Sequence, residues 1–115
     1  MIQIVEIPMP YKMSTNRIYA GIHWAVRAKY KDMMRWALIT SIAKLKPIKE
    51  GKLTFDFGFK NKPLDCSNCT FMAKMIEDVL VEHHILIDDS PKYVKEITIK
   101  STKASSDVCI LKLED

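Results

Sequence analysis

The chain has 115 residues, of which 48% are hydrophobic, and a formal net charge of +4. This length fits one domain whose core needs no disulfide or structural metal, and three cysteines, an odd number, argue against a disulfide framework. Because no apolar run approaches the roughly 18 residues of a membrane span and no secretion signal is evident, we expect a cytoplasmic protein with reduced thiols and no membrane contact.

The first part of the chain predicts a strand, a loop and a long helix. Residues 2–8 are typical of a strand, which Pro8-Met9-Pro10 ends. Residues 11–20 are predicted to form a loop. Apolar residues at helical spacing predict a helix over 22–45, which Pro47 and Gly51 stop. Its expected buried stripe consists of Ile22, Val26, Tyr30, Met33, Ala37, Leu38, Ile42 and Leu45.

The second part predicts an alternation of strands with one further helix. Phenylalanines alternate with polar residues over 53–59, which indicates a half-buried strand. A helix is expected over 68–83, capped by Asn68, with Met72, Met75, Ile76, Val79 and Leu80 buried. A short apolar strand, 85–87, is followed by a turn, and 93–100 and 108–114 are expected to form a hairpin. The order predicts one α+β domain over 1–115, with a mixed sheet of about four strands and two main helices.

Charge is unevenly distributed along the chain. Residues 1–63 hold 12 Lys and Arg against 4 Asp and Glu, a net of +8, whereas residues 64–115 hold 6 against 10, a net of −4. On the long helix Arg27, Lys31 and Arg35 follow Trp24 at helical spacing and could lie along a phosphate backbone. The alternative is an ordinary solvated helix face, and the sequence does not separate the two.

Acidic residues flank the second helix. Asp65 precedes it, Lys74 and Asp78 lie four residues apart on it, and Asp88-Asp89 follow it. Carboxylates from neighbouring elements around one lysine suit Mg²⁺-dependent phosphodiester cleavage, in which oxygen ligands hold the ion and a cation stabilises charge on the phosphate. The alternatives are a cap residue, a surface ion pair and a turn.

A different chemistry is suggested by Cys66-Ser67-Asn68-Cys69, a Cys-x-x-Cys at a helix start, where thiol pKa values fall. It would make the chain a zinc or redox protein. However, no second cysteine pair completes a zinc site, and His83-His84 are adjacent rather than three to five residues apart.

Most of the chain resembles the RusA family of Holliday junction resolvases, in a small phage-type form. The opening strand is followed by a proline turn and by Ser14-Thr15-Asn16-Arg17 with Tyr19; later come Asp65-Cys66-Ser67-Asn68, a helix with Lys74, and Ile85-Leu86-Ile87-Asp88-Asp89. The resemblance implies a homodimeric endodeoxyribonuclease, dependent on Mg²⁺ or Mn²⁺, that cuts four-way branched DNA symmetrically for recombination and repair.

The resemblance also implies roles for particular residues. Lys74 would be the catalytic lysine, and Asp65 and Asp89 would be catalytic, metal-binding carboxylates, with Asp88 as a further candidate ligand. Asn16 and Arg17, with the basic stripe, would contact DNA.

The sequence departs from the family pattern at the second acid, where Ser67 stands, and the spacing from Asn68 to Lys74 is about three residues longer than usual. A gapless alignment would place Asn68 and Thr70 at the acidic positions instead. Asp56 or Asp88 could supply the missing carboxylate. If nothing does, the chain would bind DNA without cutting it.

Overall fold

The structure, a computed structural model, describes residues 1–21 and 24–115. These residues contain four strands and three α-helices. The α+β prediction with a mixed sheet and two main helices is confirmed. In chain order the elements are β1 (Ile2–Pro8), α1 (Thr15–Tyr19), α2 (Trp24–Ile42), β2 (Gly51–Phe59), a 3₁₀ turn (Cys66–Cys69), α3 (Thr70–Glu82), β3 (Val94–Lys103) and β4 (Val108–Glu114).

The strands form one sheet in the order β1-β4-β2-β3. β4 is antiparallel to both β1 and β2, and β3 is parallel to β2. The predicted alternation in β2 is confirmed: Phe55, Phe57 and Phe59 are buried in the core that α2 and α3 share. Since side chains alternate along a strand, Asp56 lies on the opposite face of the sheet.

The predicted hairpin of the last two strands is wrong, because β2 lies between them. The polar loop 104–107 carries the chain over the end of β2: Ala104 N–H donates to the Phe59 carbonyl at 2.9 Å and Lys60 N–H to the Asp107 carboxylate at 2.8 Å. A side chain at Gly58 would lie 2.7 Å from the Ala104 methyl, so a glycine lets the loop pass this close.

The long helix α2 is shorter than the predicted 22–45, and most of its predicted buried stripe is confirmed: Leu38 and Leu45 are buried, and Tyr30, Ala37 and Ile42 pack against the core. The stripe differs at two points: Met34 and Ser41 are buried where Met33 was expected to be, and Val26 is 40% exposed. The first turns of α2, over 24–29, are exposed throughout. The predicted start at Ile22 falls on residues 22–23, which lie outside the described part.

The predicted strand 85–87 is also absent in the described structure, where this segment instead ends α3. His84 has a φ of 60° and its N–H donates to Val81 at 3.1 Å, while Ile85 N–H donates to Leu80 at 2.9 Å. This is the Schellman arrangement, in which a left-handed residue lets the chain close the last helical turn. Ile85 and Leu86 are apolar because they cover the end of the helix, and both are buried.

Residues 11–20, predicted to be a loop, contain the short helix α1. Ser14 caps it, because its Oγ accepts a hydrogen bond from Arg17 N–H at 3.1 Å. Neither α2 nor any other described helix combines the length and apolar character that crossing a bilayer would require.

Candidate functional site

Three carboxylates converge on the ammonium group of Lys74. Its Nζ lies 3.1 Å from Asp78 Oδ1 and 3.4 Å from Glu77 Oε1, and it forms a close ion pair with Asp89. The helical spacing of Glu77 and Asp78, three and four residues beyond Lys74, sets them on one side of α3. The segment that follows the helix brings Asp89 to the same point. Asp78, predicted from spacing to pair with Lys74, does so.

The cluster changes the protonation equilibria of its members. Burial disfavours the charged form of Lys74, but hydrogen bonds to Asp89 and Asp78 outweigh it and raise the Lys74 pKa. The same hydrogen bond from Lys74 lowers the pKa of Asp89. Lys74 and Asp89 are therefore both charged at neutral pH, an ammonium beside a carboxylate.

Glu77 is the unusual member of the cluster. It is only 5% exposed, and its Oε2 is buried without a hydrogen-bond partner among the described residues. Burial raises the pKa of Glu77, and the nearby Lys74 only partly offsets that rise. Sequence reasoning did not select Glu77. The signal was its spacing from Ala73 and Leu80, at four and three residues, which puts it on a buried line of α3.

Two adjacent depressions meet at this cluster, and Lys74, Glu77 and Ile97 line both. The first, of about 360 Å³, lies between α1, α3 and β3 and is mostly apolar. Tyr19 stands at its edge and is 77% exposed. The second, of about 430 Å³, contains Asp89. The ionic cluster therefore lies where an apolar hollow joins a polar one.

The Ser14–Arg17 motif docks on the start of α3. Thr15 Oγ1 accepts from Phe71 N–H at 2.8 Å and lies 2.7 Å from Thr70 Oγ1. Asn16 N–H donates to Asn68 Oδ1 at 3.1 Å. Asn68 was predicted to cap α3; its side chain instead holds α1, and Thr15 supplies the cap. Asn68 and Thr70, the alternative acidic positions, thus hold α1 in place.

The structure brings together only part of the predicted acidic set. Asp65 lines a separate pocket with Lys12, Lys62 and Asn68, and does not share either hollow at Lys74 with Asp89. Asp88 is exposed beside Asp89. Asp56, weighed as a substitute, lies on the sheet face opposite the helices and cannot reach Lys74.

The predicted basic stripe on α2 is largely neutralised by α3. Arg35 forms two hydrogen bonds to Glu82, of 2.7 and 3.0 Å, and Lys31 lies 3.0 Å from Glu82 and 3.9 Å from Asp78. Both cations are half-buried, whereas Arg27 is exposed and donates to the Ile18 carbonyl at 3.3 Å. Two of the three cations therefore join the helices, and Arg27 remains accessible.

A second basic region was missed because its members are far apart in sequence. We name Lys12, Lys60, Lys62 and Lys103 the lysine cluster. Lys12 Nζ donates to the Lys62 carbonyl and lies 5.4 Å from the centre of the Phe59 ring, and Lys103 pairs with Phe59 in the sheet. All four are exposed, and none belongs to an ion pair within the described ranges.

The cysteines of the Cys-x-x-Cys motif differ in environment. Cys66 is exposed and Cys69 is buried, and both are free thiols. Burial raises the pKa of Cys69 to about 11. At neutral pH the buried Cys69 is therefore a neutral thiol and not a thiolate nucleophile.

The donor set at Lys74 suits a hard cation, since carboxylate oxygens are what Mg²⁺ prefers and Glu77 contributes an oxygen without a partner in the described structure. In residues 1–21 and 24–115 no three His, Cys, Asp or Glu side chains are arranged to hold an ion. The carboxylates meet at the Lys74 ammonium instead. A metal would be held by one or two of them together with phosphate oxygens of a substrate.

Comparison with models of known protein families and with curated protein sequences found no match for this chain.

Proposed function

We propose that the chain is a structure-selective endodeoxyribonuclease of the RusA type, dependent on Mg²⁺ or Mn²⁺, that resolves four-way DNA junctions by paired, symmetric cleavage. The observation that carries this proposal is the ionic cluster at Lys74. A lysine among carboxylates, beside a hollow that an exposed tyrosine borders, supplies the groups that phosphodiester cleavage requires.

Each residue of the cluster has a distinct role in this proposal. Asp89 binds the cation, with Asp88 beside it as a further oxygen source. When bound, the cation polarises the phosphate and lowers the pKa of an attacking water. Lys74, charged at neutral pH, donates to a phosphate oxygen and stabilises the negative charge that develops there. Asp78 keeps Lys74 oriented along α3. Asp65 lies outside this arrangement and takes no catalytic part in it.

DNA would reach the site along the face that α1 and the lysine cluster share. Asn16 and Arg17 are exposed on α1, next to the apolar hollow, and Asn68 links α1 to the pocket of Lys12 and Lys62. Exposed cations on this path suit a phosphate backbone. Symmetric cleavage of a junction requires two sites related by a two-fold axis, so we propose a homodimer.

The test is nicking of a labelled four-way junction by the wild-type chain with millimolar Mg²⁺ and with EDTA. Cleavage at paired positions, dependent on the ion and abolished in Lys74→Met and Asp89→Asn, is expected. Glu6→Gln, an exposed carboxylate on β1 at the sheet edge opposite β3, is the matched control and should cleave as wild type does. Binding without cleavage by the wild type would contradict the nuclease proposal.

A second candidate is a DNA-binding protein that does not cut. It is favoured by the polar groups at the family's acidic positions: Asn68 and Thr70 are both engaged by α1, and Ser67 carries a hydroxyl where an acid is usual. The same junction would then be retained in a gel-shift assay with affinity that does not change on adding Mg²⁺.

A further inference from the structure

The carboxylate of Glu77 is buried in a way that needs an explanation. Burying an ionised carboxylate is costly unless each oxygen is compensated, and buried acceptors without partners are rare in folded proteins. Glu77 Oε1 lies 3.4 Å from Lys74 Nζ, a long contact, and Oε2 has no partner in the described structure. The residue is nevertheless held in place, because it lies between the buried Ile76 and Val79 on α3.

Glu77 lines the two hollows that Lys74 also lines, and Asp89 lines the second of them. One ammonium group, Lys74 Nζ, contacts both Glu77 and Asp89 and so lies between their carboxylates. A position that a monovalent cation occupies between two carboxylates has the electrostatic character that a divalent ion requires. Two carboxylates balance the charge of such an ion, whereas they leave a net negative charge with one ammonium.

Building on the proposed nuclease function, we infer that Glu77 and Asp89 bind one divalent cation of the Mg²⁺ and Mn²⁺ class, and that Glu77 replaces the acid missing at Ser67. The ion lies between the two carboxylates, at the position that Lys74 Nζ occupies in its absence, and Glu77 becomes a ligand. Lys74 Nζ is displaced towards Asp78, its other partner on α3, and turns its donors towards a phosphate.

The other carboxylates are less suited to this role. Asp78 already faces two cations, with Oδ1 3.1 Å from Lys74 Nζ and Oδ2 3.9 Å from Lys31 Nζ. Asp65 lines a different pocket.

The experiment measures Mn²⁺ binding to the DNA-free chain by calorimetry and by the electron paramagnetic resonance signal of unbound Mn²⁺. Wild type is expected to bind one ion. Glu77→Gln, which keeps the side-chain shape, and Asp89→Asn should each weaken binding by at least roughly tenfold. Glu6→Gln, an exposed carboxylate on β1 at the sheet edge opposite β3, should leave it unchanged. Thermal melting gives a second readout, because the same Mn²⁺ concentration should raise the Tm of wild type more than that of Glu77→Gln.

If Glu77→Gln does not fold, Glu77→Asp is the second variant. Its side chain keeps the charge but is one methylene shorter, which moves the oxygens away from the ion, so Mn²⁺ binding should weaken to a similar degree. Wild-type affinity in the folded Gln or Asp variant would overturn the assignment, as would a wild-type chain that binds no Mn²⁺. Ion binding through Glu77 without junction cleavage would retain the cation site and reject the nuclease. Ion-dependent cleavage that Glu77→Gln leaves intact would support the nuclease proposal and reject Glu77 as a ligand of the ion.

Discussion

Thr15 caps a helix to which it does not belong: its hydroxyl accepts a hydrogen bond from the backbone N–H of Phe71, at 2.8 Å, in the first turn of α3. The 3₁₀ turn before α3 provides no side-chain cap of its own. The same hydroxyl reaches the Asn68 carbonyl at 3.2 Å. One side chain therefore fixes α1 against the helix that carries Lys74 and Glu77, and it couples the stability of the two helices.

Replacing Thr15 with valine should lower the free energy of unfolding by about 1–2 kcal/mol. Valine has the same shape, but it leaves the Phe71 N–H without an acceptor at a buried helix start. Urea unfolding monitored by circular dichroism measures the change. Thr98→Val, at an exposed position of β3, is the control and should change stability by less than about 0.5 kcal/mol. If Thr15→Val and Thr98→Val lower the free energy of unfolding equally, Thr15 does not stabilise α3 as a cap.

The lysine cluster should contribute more to DNA binding than Lys31 and Arg35. Replacing Lys12, Lys62 and Lys103 with alanine should reduce the slope of log affinity against log salt by about 0.9 for each phosphate that is no longer neutralised. The pair Lys31→Ala and Arg35→Ala should change it less, because Glu82 already compensates both cations. Fluorescence anisotropy with a labelled junction at several salt concentrations measures both slopes. A larger change of slope in the Lys31→Ala, Arg35→Ala variant would show instead that α2 makes the main DNA contact.

Glu82 should make stability dependent on pH in the acidic range. Its hydrogen bond from Arg35 lowers the carboxyl pKa from 4.5 to about 2. A carboxyl whose pKa is lowered on folding stabilises the fold above its unfolded pKa, and this contribution disappears as the pH falls through the folded value. Solvent screening limits it to roughly 1 kcal/mol. Wild type and Glu82→Gln should therefore differ at pH 6 and converge near pH 2 in urea titrations. A difference that persists at pH 2 would assign the effect to packing.

Gly58→Ala should destabilise the crossing of the loop 104–107 over β2. The added methyl would lie 2.7 Å from the Ala104 methyl, and forcing extra volume into a packed site costs about 1–3 kcal/mol. Ala104→Gly should relieve most of this cost in the double variant, which makes the two substitutions non-additive. Thermal and urea unfolding of the two single variants and the double variant measure the coupling. Additive destabilisation would show that the clash is not with Ala104.

Local patterns in the sequence were sufficient to predict most elements but not their arrangement. The alternation of Phe55, Phe57 and Phe59 directly reports burial on one face of a strand, and the apolar spacing in α3 reports a buried helix face. Strand order was not predicted correctly, because adjacent strands in sequence are expected to pair and nothing in the residues of β3 and β4 indicates that β2 lies between them. The apolar run at Ile85 was assigned to a strand because burial at a helix end produces the same short pattern.

The candidate site shows the same limit. Lys74, Asp78 and Asp89 were selected because motif and helical spacing place them near one another. Glu77 was passed over since an acidic residue in a helix usually faces solvent, and only the tertiary structure buries it. The charges of Lys31 and Arg35 suggested a DNA contact, because the compensating Glu82 lies 47 residues from Arg35 in sequence.

The position of β4 has a consequence for how the chain acquires its fold during synthesis. This strand comes last in chain order, yet it lies between β1 and β2 and is the link through which β1 joins the sheet. While β4 is still inside the ribosome, β2 exposes an unpaired edge and β1 has no partner in the sheet. Helices α2 and α3 can pack on β2 before that point, but the sheet cannot form completely until β4 has emerged from the ribosome. A nascent chain of this protein therefore presents open strand edges until β4 has been released, and such edges are where aggregation and chaperone binding begin.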